Sequence, residues 1–249
     1  MARQSGIIKI EGTVDDLTFL KRGGRYFVRR KGGVSRSRML HDPAFERTRE
    51  NSNEFAHAAK CATQLRRAAM VLIKKAHAPK LSNRLVSVLF RIKNLDSTSV
   101  RGARQVSIGL ATPAGKALLT GYDLNPAASL AAVLQAPYVL TAATGAISIT
   151  DFVPAEMLQY PQYATHVGLT AGFLIVDFES GVSTAALSTE TQLALHAGAT
   201  TVTLTPLAVP TGAGTKLHLL LVAFYQEVNG ILYPLQDGHF NSLAVVAVD

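Results

Sequence analysis

The sequence predicts an α+β protein in which a basic β-ribbon and a helical hairpin precede an antiparallel β-sandwich of the immunoglobulin-like (Ig-like) type. Strand-like runs near the N-terminus meet at a Gly-Gly pair, and apolar residues then recur every three or four positions as far as residue 94. From residue 105 onward, short runs rich in Val, Leu, Ile and Thr are divided by Gly, Pro, Asn and Asp. This change of period predicts two domains, 1–104 and 105–249.

The first predicted element is a β-ribbon within residues 6–31. Strands are expected around Ile7, Ile8 and Ile10, over 17–22 and over 25–30, because Gly23-Gly24 supplies the positive φ angles of a tight hairpin turn. A short ribbon is unstable alone and needs a surface to lie on. The apolar and aromatic residues predicted to form an assembly interface are Ile7, Ile8, Ile10, Phe19, Tyr26 and Phe27. The basic residues beside them are Lys21, Arg22, Arg25, Arg29, Arg30 and Lys31.

Two amphipathic helices are predicted next. Asp42-Pro43 is typical of an N-cap followed by proline at the first helical position. The first helix should run to about His77 and end at Pro79, and the second should span 82–94, giving a helical hairpin. The apolar stripe of the first helix comprises Phe55, Ala58, Ala59, Ala62, Leu65, Ala69, Leu72, Ile73 and Ala76. A basic ridge is predicted from Lys60, Arg67 and Lys74, which lie seven apart, with Arg66 and Lys75 beside them.

The second half is predicted to be all β after a linker over 96–104. The Asn229-Gly230 pair indicates a two-residue hairpin, and the continuous apolar run 217–225 indicates a central strand buried on both faces. The predicted strands are 106–111, 146–152, 166–178, 200–204, 216–228, 231–235 and 241–248.

Charge is distributed very unevenly along the chain. Residues 1–105 contain 23 Lys and Arg against 8 Asp and Glu, a net charge of +15. The remainder contains 2 against 9, a net charge of −7. Such asymmetry predicts a polyanionic partner, a membrane surface, or the acidic half of another copy.

No motif predicts catalysis, a metal or a cofactor. The 212–216 segment resembles the end of a phosphate loop, but it leads into a strand where a helix is required. The seven histidines show no metal-ligand spacing, and the carboxylates of the β half form no recognisable pair. The single cysteine, Cys61, excludes an intramolecular disulfide, and its place near the apolar stripe predicts a buried structural thiol. These residues identify no small-molecule substrate.

Neither a signal peptide nor a membrane span is predicted. The N-terminal residues lack the apolar run of a secretory signal, which favours a cytoplasmic protein or one exported by a non-classical route. The uncharged stretch 124–150 is interrupted by Pro126, Gln135, Pro137 and Gly145.

Three segments carry a resemblance to a known group of proteins. They are 6–33 with its basic hairpin, 42–51, and 225–235, which contains QEVNGILYPL. Together they resemble a family of uncharacterised Bacteroidetes proteins. The resemblance implies one architecture over the full length, and the group brings no known activity or catalytic residue.

The sequence therefore favours a non-enzymatic structural protein that self-assembles into a filament, tube or shell. Contacts between unlike surfaces of successive copies would make it a homo-oligomer or homopolymer. The first alternative is a protein that binds nucleic acid through its basic half without reading sequence. The second is a carbohydrate- or surface-binding module in the β half, although the absence of Trp removes the commonest sugar-stacking side chain. An unrecognised enzyme is a further alternative.

Overall fold

The computed structural model describes residues 1–30, 32–78 and 81–249, and it has the predicted α+β fold. The chain divides into two units, Met1–Arg49 and Glu50–Asp249. The division therefore falls after Arg49 rather than after Arg104, since the helices that follow residue 50 share a hydrophobic core with the strands of the second half.

The first unit contains a four-stranded antiparallel sheet. Its strands are β1 (Ala2–Arg3), β2 (Gly12–Val14), β3 (Leu17–Arg22) and β4 (Arg25–Arg30), in the order β1-β4-β3-β2. The predicted hairpin is confirmed, because Gly23 and Gly24 join β3 to β4 with φ angles of 56° and 73°. A short helix, α1 (Arg36–His41), and a 3₁₀ turn (Pro43–Phe45) follow.

The strand expected around Ile7, Ile8 and Ile10 is absent, which corrects the prediction. These residues lie in a loop between β1 and β2. The side chain of Gln4 binds this loop: its Nε2 donates to the carbonyl oxygen of Ile10 at 3.1 Å, and its Oε1 accepts from the Ile10 amide at 3.1 Å. A side-chain amide thus replaces the backbone partner that a strand would need.

The predicted helices are present with different boundaries. They are α2 (Glu46–Ala68), α3 (Met70–Ala76) and α4 (Leu81–Lys93). Asp42 caps the 3₁₀ turn instead of α2, since its Oδ1 accepts from the Ala44 amide at 2.9 Å. The first predicted helix is divided at Ala69, and α3 ends at His77, whose φ of 49° is left-handed. The expected stop at Pro79 lies outside the described residues.

The rest of the second unit is dominated by antiparallel strands joined by short helices. The helices are α5 (Val106–Ala111), α6 (Pro113–Leu119), α7 (Leu130–Val133) and α8 (Pro154–Met157). The strands are β5 (Tyr122–Asp123), β6 (Val139–Thr141), β7 (Ala146–Phe152), β8 (His166–Val176), β9 (Ser183–Leu187), β10 (Thr191–Ala194), β11 (Thr200–Leu204), β12 (Thr215–Val228), β13 (Ile231–Pro234) and β14 (Ser242–Val248). The seven-stranded main sheet has the path β10-β8-β12-β14-β5, with β9 also paired to β8 and β13 to β12, and a three-stranded sheet has the order β11-β7-β6.

The main sheet is covered on both faces, which explains its continuous apolar strands. Leu219 and Leu221 of β12 belong to the core formed with α2, α3 and α4. Leu220 and Val222 point the other way, into a core shared with β7 and β11 of the smaller sheet. The two sheets therefore form the sandwich-like arrangement predicted from the sequence, and the helices add a third layer.

The strand expected at 106–111 is wrong, because this segment is helix α5. Val106, Gly109 and Leu110 are its buried residues, at the i, i+3, i+4 spacing of one helical face. Gly109 permits close packing: a Cβ built there would lie 2.1 Å from the carbonyl oxygen of Ile92 in α4. A segment of six residues is too short for the spacing of its apolar residues to distinguish a helix from a strand.

Candidate functional site

The most unusual feature of the first unit is the lack of a core. No residue of the described ranges 1–30 and 32–49 is buried. Several of its apolar side chains are exposed, including Val14 at 58% and Leu17 at 45%, whereas Phe19, Tyr26 and Phe27 are half-buried. A sheet of this size needs a covered hydrophobic face to offset the conformational entropy of its ordered backbone. The unit thus displays the surface that a core would normally bury.

The cross-strand register gives the sheet one predominantly apolar face. Phe19 lies opposite Val28, Val14 lies opposite Leu17, and side chains of paired residues share a face. At the margins of this face, Lys21 lies over the ring of Tyr26, with 5.3 Å between Nζ and the ring centroid. Arg30, opposite Leu17, forms an exposed ion pair with Asp16 at 3.7 Å.

The opposite face carries four arginines. Arg22 pairs with Arg25 beside the Gly-Gly turn, Arg29 lies opposite Thr18, and Arg3 of β1 lies opposite Phe27. Phe27 is therefore separated from Phe19 and Tyr26, with which the sequence grouped it. Lys31, the remaining predicted basic residue of this region, lies outside the described residues.

Ile7, Ile8 and Ile10 are all exposed in the loop before β2. Ile7 and Ile8 are the more exposed pair, and Ile8 retains 81% of its accessible surface. These three predicted interface residues thus add to the apolar surface of the first unit without belonging to a strand.

The basic ridge predicted on α2 and α3 is only partly free. Lys60, Arg67 and Lys74 are exposed. Arg66 is half-buried and donates from Nη1 to the Ser82 hydroxyl at 2.9 Å. Lys75 is also half-buried, and its Nζ lies 3.0 Å from Glu190 Oε2. These two cations are engaged within the second unit, so the ridge is weaker than its sequence suggests.

A buried ion pair, which sequence reasoning missed, joins α2 to the end of α4. The ammonium group of Lys93 binds the Glu54 carboxylate, and both side chains are almost fully buried. Glu54 Oε1 also accepts from the Gly102 amide at 2.8 Å. Burial lowers the pKa of Lys93, and the positive charges of Arg104 and Arg101 lower it further.

Asp96 organises the segment that the sequence predicted to be a linker. Its Oδ1 accepts from the amides of Thr98 and Ser99, and its Oδ2 accepts from the Gln105 amide, each at 2.9 Å. Burial acts to raise the pKa of Asp96, but hydrogen bonds from Ser99, Gln105 and Thr98 outweigh this and hold the pKa well below its usual range. The 96–105 segment is therefore a fixed loop.

Cys61 is buried in the helical part of the core, as predicted. Burial raises the pKa of its thiol to about 12, and its Sγ lies 3.6 Å from His57 Nε2. That nitrogen also accepts from the Val106 amide at 3.1 Å, and burial lowers the pKa of His57. A neutral imidazole engaged with the backbone is poorly placed to generate a thiolate, so this pair is structural in character.

Residues 1–30, 32–78 and 81–249 contain neither a metal-binding cluster nor a membrane-spanning helix. No group of three His, Cys, Asp or Glu side chains in these ranges is arranged to hold a metal ion. Nor is any helix there both long and apolar enough to span a bilayer.

Comparison of the chain with protein-family models, curated proteins and solved structures gives no match. The resemblance to Bacteroidetes proteins stays a prediction.

Proposed function

We propose that the protein is a non-enzymatic structural protein that self-assembles, and that its N-terminal unit is completed by a second copy of the chain. The observation that carries this proposal is the absence of any buried residue in the described part of Met1–Arg49. Ordering the backbone costs about 1–2 kcal/mol per residue, which a sheet without a core cannot offset by itself. Burial of its apolar face against another protomer would supply the hydrophobic free energy that offsets this entropic cost.

Charge favours a second copy as the occupant. Met1–Arg49 contains 12 Lys and Arg against 5 Asp and Glu, a net charge of +7, whereas residues 106–249 have a net charge of −7. Residues 50–105 of the same unit carry +8, which brings the second unit to a net charge of +1, so the attraction is to individual carboxylates of the 106–249 segment in the next copy. The exposed carboxylates of that segment are Asp151, Glu156, Glu179, Glu227 and Asp249.

Contact between two unlike surfaces sets the kind of assembly. A head-to-tail interface closes into a ring or continues as an open helical polymer, depending on the rotation between copies. The short edge strands β1 and β2 leave backbone groups of their neighbours open to pairing, and the exposed loop with Ile7 and Ile8 adds apolar area beside them. A filament, tube or shell is the expected product.

Two single substitutions on adjacent residues of β3 test the role of the apolar face. Phe19→Asp places a charge on the apolar face, and Thr18→Asp places the same charge on the arginine face. We expect wild-type protein to form large species at low salt, Phe19→Asp to abolish them, and Thr18→Asp to retain them. Light scattering coupled to size exclusion, with negative-stain electron microscopy, measures this.

Removal of residues 1–33 provides the second arm of the test. The truncated chain should be monomeric at every concentration at which the full chain assembles. Polymerisation of the truncated chain, or a wild-type protein that is monomeric at low and high salt, would contradict the proposal.

The alternative function is nucleic-acid binding by the arginine face. The observation that favours it is the register that places Arg3, Arg22, Arg25 and Arg29 on one side of the sheet, with the ring of Phe27 among them. Affinity for duplex DNA should then fall with salt, with a log–log slope of roughly −0.9 for each phosphate neutralised. Changing Arg22, Arg25 and Arg29 to Glu should abolish binding, and unchanged affinity would remove this function.

A further inference from the structure

One cleft of the second unit has an unusual mixture of side chains. Its volume is about 530 Å³, within the range of ~300–1,000 Å³ that is common for small-molecule sites. The described residues that line it are His77, Ala127, Pro161, Tyr163, Leu235, Gln236, Asp237, Gly238 and His239. They combine an exposed aromatic ring and an apolar floor with a carboxylate, an amide and two imidazoles.

Two buried asparagines fix the walls of this cleft. Asn125, fully buried, has its Nδ2 within 2.6 Å of the Gly238 carbonyl oxygen and 3.3 Å of the Ala76 carbonyl oxygen. Asn241 Nδ2 lies 3.2 Å from the Leu235 carbonyl oxygen. These bonds join the end of α3 to the segment between β13 and β14. Two segments of the cleft wall are thus joined by buried hydrogen bonds, which favours a pre-formed site.

Backbone conformation adds a second constraint on the same wall. His77 has a φ of 49°, a left-handed conformation that a residue with a side chain rarely adopts. Gly238 packs against it so closely that a Cβ there would lie 3.0 Å from the His77 carbonyl oxygen. This left-handed residue is the C-cap of α3, so the helix end and its contact with Gly238 together fix the position of His77.

The polar groups of the cleft define the ligand class. Asp237 Oδ1 accepts from the His239 amide at 2.9 Å, and its Oδ2 has no partner among the described residues. The negative charge of the Asp237 carboxylate disfavours phosphates and other anions beside it. Tyr163, with 68% of its surface exposed, offers a ring face for an apolar surface to stack on.

We propose that this cleft binds a neutral saccharide. The C–H face of a sugar ring would stack on Tyr163, while sugar hydroxyls donate to the free carboxylate oxygen of Asp237 and exchange hydrogen bonds with Gln236, His77 and His239. The site belongs to the second unit alone and does not depend on self-assembly.

The test is a glycan array of neutral and acidic saccharides probed with the full-length protein. The neutral disaccharide that binds most tightly is then titrated by calorimetry into wild type and three variants. Tyr163→Ala should weaken binding roughly tenfold, the loss of ~1.4 kcal/mol expected for one stacking contact. Asp237→Asn should weaken it about ten- to a hundredfold, because a charged acceptor is lost while the bond from His239 can be kept.

Tyr233→Ala is the matched control, because Tyr233 is an exposed tyrosine on β13 (51% against 68% for Tyr163) that is not among the residues lining the cleft. It should bind like wild type, and circular dichroism should show all variants folded. Absence of binding to any neutral saccharide, a preference for acidic ones, or affinity that survives both cleft substitutions would overturn the proposal.

Discussion

Replacing Lys93 with Met should be among the most destabilising single changes in the second unit. Methionine keeps most of the aliphatic chain but lacks the ammonium group of Lys93, whose side chain is only 2% exposed. The Glu54 carboxylate, 4% exposed, would then keep a single hydrogen-bond donor, the Gly102 amide. Removal of one member of a buried ion pair costs about 3–5 kcal/mol, whereas an exposed pair contributes ~0–1 kcal/mol. We therefore expect a loss of about 3–5 kcal/mol in the free energy of unfolding.

Urea unfolding followed by circular dichroism, at a protein concentration without assembly, measures this loss. Arg91→Met removes an exposed cation from the same helix and should change stability by at most ~0.5 kcal/mol. The double change Glu54→Gln with Lys93→Met should recover part of the loss, because no unpaired charge remains buried. A cost for Lys93→Met no larger than that of Arg91→Met would refute the reasoning.

Three further predictions concern individual residues of the second unit. Because the pKa of Asp96 is lowered in the folded state, its contribution to stability should be present above its unfolded pKa of ~3.9 and lost as pH falls toward the folded value. The difference in unfolding free energy between wild type and Asp96→Ala should therefore shrink below about pH 4. A difference that is independent of pH would contradict this. Gly109→Ala should lower the free energy of unfolding in urea by about 1–3 kcal/mol, because the clash with the Ile92 carbonyl exceeds the gain of up to ~1 kcal/mol in helix propensity. Gly198→Ala is the control and should be nearly neutral, since a Cβ there meets nothing within 4 Å. With its pKa raised to about 12, the Cys61 thiol should react with a thiol reagent at neutral pH only after denaturant is added, and rapid labelling of the native protein would disprove its burial.

The elements that the sequence predicted well are those specified by local turn chemistry. The bounds of β7 and β11 agree with prediction, and both glycine-containing hairpin turns form where expected. Asn229 and Gly230 have φ angles of 53° and 78°, which few residue pairs adopt. The edge strands β5, β6, β9 and β10 were not predicted, because two to five partly exposed residues show no clear alternation.

The polar sites depend on contacts between residues that are distant in sequence. Glu54 and Lys93 are separated by 39 positions, so no local pattern pairs them. One signal was present: Glu54 lies four residues before Ala58 and so falls on the apolar stripe of α2, where a charge requires a buried partner. Asn125, which fixes the cleft, lacked even that signal, because it lies in an irregular segment.

Amide hydrogen exchange over residues 1–49, in dilute and in concentrated protein, tests most directly whether a second copy completes the N-terminal unit. The amides of β3 and β4 should exchange rapidly in dilute protein, while those of β8 and β12 remain protected by the core on both faces of the main sheet. At concentrations where large species form, β3 and β4 should become protected. Equal protection of β3 and β4 at both concentrations would show that the unit is stable without a partner, and would contradict the account.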